Sequence, residues 1–190
     1  MFSEKWKEEV FTIPNLLSAV RIGLIPVYMM LYLGATESLH YLLAGSVLAL
    51  SCLTDIADGV IARKFHKITN VGKVLDPLAD KLTQLTLMLC LSSRYPVLYP
   101  VLGLFLTKEL FQCGALVFFA QKGKALPGAL PAGKLCTSVL FCSLILLVLF
   151  PEIPKTAVIF LSWLDISFLL FSFTSYLWAY WGSHNYLTDL

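Results

Sequence analysis

Charge is what this sequence has least of. Only 14% of its 190 residues are charged, against 58% hydrophobic, and the mean hydropathy is +0.78. A soluble domain of this length needs far more polar surface, so the composition describes one integral membrane domain covering residues 1–190. The net charge of +2 is too small to imply a nucleic-acid partner. Paired ligand cysteines are missing as well. Cys52, Cys90, Cys113, Cys136 and Cys142 form no C-x-x-C motif and all lie in or beside apolar segments, which reads as small core residues. There is no repeat and no low-complexity region. The opening MFSEKWKEEVF lacks the basic, apolar, small-residue order of a cleaved signal. With mixed charges and Trp6, residues 1–12 read as a juxtamembrane amphipathic helix, a frayed polar tail being the other reading.

What is present is a series of long apolar runs. A spanning helix needs roughly 20 apolar residues. Six segments qualify, at about 14–33, 41–63, 73–92, 97–120, 133–150 and 156–180, so the expected fold is an all-α bundle of six transmembrane helices over 14–180. Pro14, Pro96, Pro131 and Pro154 sit near helix starts, where a missing N–H does little harm. Trp163, Trp178 and Trp181 suit interfacial anchoring. With the N-terminus inside, the inner side carries Lys5, Lys7, Arg63, Lys64, Lys67, Lys73, Lys122, Lys124 and Lys134, and the outer side only Arg94 and Lys155. This bias places both termini, and the connection RKFHKITN, in the cytoplasm.

The remaining charges are concentrated. CLTDIADGVIAR ends the second segment with Asp55 and Asp58; GKVLDPLADKL opens the third with Asp76 and Asp80. Spacings of three and four put each pair on one helical face, and antiparallel packing would bring all four together at the depth of the inner leaflet. One Asp at a helix centre costs about 2.5–3.5 kcal/mol, so four are tolerable only in a wet cavity or around cations. Oxygen-rich sites suit magnesium or manganese. Gly59 and Ala62 leave the backbone open to a bulky ligand, and Arg63 suits a phosphate. The plainer alternative pairs the acids with Arg63, Lys73 and Lys81 as interfacial salt bridges.

The pattern Asp55-x2-Asp58-Gly59-x2-Ala62-Arg63-x8-Gly72-x3-Asp76-x3-Asp80 resembles the signature of the CDP-alcohol phosphatidyltransferase family. TIPNLLSAVRIGLIPV is similar to the first helix of the phosphatidylglycerophosphate synthases and cardiolipin synthases in it, and GKLCT resembles a late GK-x-x-T element. The resemblance implies transfer of a phosphatidyl group from CDP-diacylglycerol to an alcohol, with release of CMP. It implies Asp55, Asp58, Asp76 and Asp80 as ligands of two Mg2+ or Mn2+ ions, and Asp80 as general base. Gly59, Ala62 and Arg63, with Gly72 and Asn15, would contact the CDP part. A homodimer among membrane lipids, with its site facing the cytoplasm, is also implied. The chain has no H-x-K-x4-D motif, which argues against a phosphohistidine route; His40, His66 and His184 read as solvated or interfacial.

The acceptor is less legible. Arg21, Lys108 and Lys134 are the cations expected to hold a phosphorylated alcohol, with snorkelling, or a Lys108–Glu109 pair, as the bland reading. Where phosphatidylglycerophosphate synthases often carry Arg-Glu, this chain has Lys108-Glu109, and Cys136 replaces a second lysine. Glycerol 3-phosphate is the expected acceptor, phosphatidylglycerol the next. A cation- or proton-coupled transporter and a catalytically inactive scaffold are the competing classes.

Overall fold

A computed structural model of the chain describes residues 12–64, 72–121 and 130–185, with backbone alone for residues 13–14, 55–64, 73–74, 120 and 181–185. Apart from Thr12, the expected surface helix lies outside the described residues, as do residues 65–71 and 122–129 of two connections. The described residues are helical, without strands: α1 (Ile13–Leu33), α2 (Ser38–Lys64), α3 (Gly72–Arg94), a 3-10 turn (Pro96–Leu98), α4 (Tyr99–Gln121), α5 (Pro131–Leu149) and α6 (Lys155–Asn185).

Five of the six helices keep within a few residues of the expected bounds, and each departure has a local cause. The fourth segment opens as a 3-10 turn because Pro100 has no N–H to give the Pro96 carbonyl. Tyr99, one residue closer, gives its own instead. α6 continues to Asn185, past the apolar run, since no proline follows to stop its backbone ladder. Pro14 sits in the first turn of α1, and the Pro154 carbonyl accepts from Ala157 and Val158 at the start of α6.

Among the described residues, four stretches are long and apolar enough to cross a membrane: Asn15–Leu33, Pro96–Phe119, Pro131–Leu149 and Lys155–Tyr180. α2 contributes a shorter apolar stretch, Ser38–Thr54, before it enters the signature. α3 is not among them, because Lys73, Asp76, Asp80 and Lys81 load its first half. Among the described residues, length and composition thus support four spans and one shorter apolar stretch where six spans were expected. Large apolar side chains cover the outside, Trp178 at 84% exposure being the extreme, as befits a lipid-facing surface. None of the five cysteines forms a disulfide. Cys90 and Cys136 are buried as expected, whereas Cys113 and Cys142 are exposed rather than core.

The described residues form two compact units, one reaching Cys90 and taking in Val148–Pro151, the other Leu91–Leu147 and Glu152 onward. In the first unit α1 packs along α2. The four-residue connection between them is fastened by Tyr32 edge-on to Tyr41 at 5.3 Å and by Tyr41 Oη donating to the Ala35 carbonyl at 3.2 Å. In the second unit α4 packs on α6. Phe111 meets Phe173 at 5.3 Å, and Phe119 meets Tyr180 at 6.0 Å.

Candidate active site

The site is built on heptad-like stripes of the first unit. α1 carries Asn15, Ser18 and Arg21 three residues apart, hence on one face, and all three are buried in an otherwise apolar helix. α3 carries Asp76 and Asp80, flanked by the fully buried Ala79. The two stripes meet in two rungs. Ser18 Oγ donates to Asp76 Oδ1 at 2.5 Å, and Arg21 Nη1 to Asp80 Oδ1 at 2.5 Å. Residue numbers rise together along the rungs, so α1 and α3 run parallel here. The Arg21 side chain is 2% exposed while that of Asp80 is 54% exposed, so the pair has one buried and one open end.

One turn deeper, Tyr28 of α1, Ser51 of α2, and Thr83 and Thr86 of α3 line a cavity with Leu24, Val47, Leu48 and Leu87. This fixes the register of α2. Ala44, Leu48 and Ser51 form its buried stripe, and the same spacing continues to Asp55, Asp58 and Ala62 on the unbroken helix. Asp55 stands one turn beyond Ser51 as Asp80 stands one turn before Thr83, with Asp58 and Asp76 a further turn along. The side chains of Asp55, Asp58, Gly59, Ala62 and Arg63 lie outside the described residues. Gly72 is buried at the first position of α3.

Lys108 and Lys134 belong to the second unit. Lys108 is 2% exposed and donates to Glu109 Oε1 at 2.8 Å and Gln112 Oε1 at 3.1 Å, with its ammonium 6.0 Å from the Tyr176 ring centroid. Lys134 is exposed in the first turn of α5. The GK-x-x-T element has a structural basis. A Cβ on Gly133 would fall 2.5 Å from Tyr176 Oη, so any larger residue would have to displace that ring, and Thr137 Oγ1 ties back to the Gly133 and Lys134 carbonyls at 3.0 Å.

Two features escaped the sequence reading. Ser18 lies midway between Asn15 and Arg21, and that three-residue spacing was its only signal. Asp165 is the one acid inside the last apolar run, 1% exposed, accepting from Ser143 Oγ at 2.9 Å, and Cys136 lies within electrostatic reach of both it and Lys108.

Fold and site together define a helical membrane protein with an acidic centre on its third helix, seated against the first. The model of the CDP-alcohol phosphatidyltransferase family matches residues 11–177, and the chain belongs to that family. It is 31% identical over 118 residues to a CDP-diacylglycerol--glycerol-3-phosphate 3-phosphatidyltransferase of Pseudomonas fluorescens, covering 61% of this chain and 60% of the relative. It is 38% identical over 91 residues to a cardiolipin synthase (CMP-forming) of Streptomyces coelicolor, covering 46% and 41%. It is 46% identical over 95 residues to a cardiolipin synthase (CMP-forming) of Rattus norvegicus, covering 50% and 30%. The chain thus spans between 30% and 60% of the length of these relatives.

Proposed function

We propose that this protein transfers the phosphatidyl group of CDP-diacylglycerol to glycerol 3-phosphate and releases CMP, with phosphatidylglycerol as the alternative acceptor. The observation that carries this reading is the pair of rungs that seats Asp76 and Asp80 side by side, one tied to a hydroxyl and one to a buried guanidinium. A salt-bridge network alone has no use for an Asp80 that stays half open while its arginine partner is buried.

In this reading all six helices cross the membrane, with both termini and the site on the cytoplasmic side, and the chain works as a homodimer. Asp55, Asp58, Asp76 and Asp80 hold two Mg2+ or Mn2+ ions. The donor chemistry fits, since the α3 stripe offers carboxylate oxygens, the donor type that hard divalent ions take. Bound there, the ions would neutralise the pyrophosphate and polarise the phosphorus. Asn15, Gly59, Ala62, Arg63 and Gly72 seat the cytidine diphosphate. Asp80 takes the proton of the acceptor hydroxyl as its oxygen bonds to the phosphatidyl phosphorus, and the bond from that phosphorus to the CMP oxygen breaks. Arg21 holds Asp80 and sets a cation beside the acceptor's place. Lys108 and Lys134 serve its phosphate.

Both acceptors stay in view because relatives named for each match this chain. One assay tests the reading. Purified protein is given CDP-diacylglycerol with magnesium or manganese and each alcohol in turn, and the lipid product is identified. Phosphatidylglycerophosphate is the expected product; no CMP release with any alcohol would sink the proposal.

A further inference from the structure

Among the described residues, helix hydroxyls mostly bond to their own backbone. Thr83, Thr107, Ser162 and Ser175 each return to the carbonyl four residues back, at 2.7–2.9 Å, the ordinary habit of such side chains in apolar surroundings. Ser18, like Ser143, reaches a carboxylate of another helix. It is 0% exposed and donates to Asp76 Oδ1, 2.5 Å away. The neighbouring acid, Asp80, is held from the same face of α1 by Arg21. α1 therefore provides each α3 carboxylate with its own donor, a charged one for Asp80, the proposed base and ligand, and a neutral one for Asp76, a proposed ligand alone. A neutral donor fixes a carboxylate's orientation without cancelling its charge, which is the outer-shell support that metal ligands require.

We propose that Ser18 is a positioning residue for Asp76, orienting that carboxylate toward a divalent cation and thereby setting metal affinity. This rests on the phosphatidyltransferase reading, in which Asp76 is a metal ligand. The test uses the full chain, purified in nanodiscs, with Mn2+ binding followed by electron paramagnetic resonance and CMP release measured in parallel. Ser18→Ala is expected to weaken Mn2+ binding about 10-fold, at the low end of the range for lost outer-shell partners. Its KM for Mn2+ should rise alike, with kcat at saturating Mn2+ within about twofold of the parent. Ser18→Thr keeps the hydroxyl and should restore the affinity. Parent-like Mn2+ binding by Ser18→Ala would overturn the proposal. So would equal loss in both variants, which would assign the effect to packing rather than to the hydroxyl. If the parent binds no Mn2+, both this proposal and the reading beneath it fail.

Discussion

The two units hold Asp80 and Asp165 in opposite ways. In the first, Asp80 has its charge matched by a buried arginine and its own side chain 54% exposed. In the second, Asp165 is 1% exposed and receives a hydroxyl from Ser143, and its other oxygen has no hydrogen-bond partner among the described residues. Both are acids within helices of a membrane protein, and intramembrane acids are functional suspects by default. Access separates them. A residue that takes a proton from an incoming hydroxyl has to be reachable by it, and Asp80 is. Asp165 is sealed, and its visible task is to join α5 to α6.

Variants can break or sharpen that contrast. The largest effect is expected from chelation, with EDTA abolishing CMP release and added Mg2+ or Mn2+ restoring it. Asp80→Asn should lower kcat by about 10²–10⁴-fold, the usual worth of a general base, while equilibrium binding of CDP-diacylglycerol persists. Gly133→Ala drives a methyl group against Tyr176 and should cost about 1–3 kcal/mol of stability, read as a lower Tm in detergent. Adding Tyr176→Phe removes the nearest clashing atom and should recover part of the loss. Ser143→Ala takes away a buried donor and should cost about 1 kcal/mol. Smallest of all, Asp165→Asn keeps the acceptor oxygen for Ser143 and should leave turnover within about twofold. A collapse of turnover there comparable to that of Asp80→Asn would erase the distinction between open and sealed acids.

Most of the helical layout was legible because lipid imposes long apolar runs and proline marks where several of them begin. The acidic stripe was legible because spacings of three and four have one meaning on a helix, and Asp76 and Asp80 do share a face. Other features were hidden for identifiable reasons. Ser18 and Ser143 look alike in sequence to Ser162, and only coordinates show which hydroxyls leave their own helix. The 3-10 turn at Pro96 needed attention to Pro100, a proline four residues on rather than the one at the boundary. Arg21 was read as an acceptor-binding cation, and its contact with Asp80 depends on α1 lying against α3; alternating spans make the two parallel but do not reveal that they touch. The GK-x-x-T element read as chemistry, yet Gly133 and Thr137 have a packing reason to be there.

The pairing of Arg21 with Asp80 also bears on biogenesis. A chain emerges from the ribosome N-terminus first, so the guanidinium is already made when the third helix is translated. That helix has a first half too polar to partition into hydrocarbon comfortably by itself. It is delivered to a neighbour that already carries the opposite charge and a hydroxyl at the matching heights. Removing the first helix would therefore strand the third at the point of insertion, before any catalysis could be asked of it.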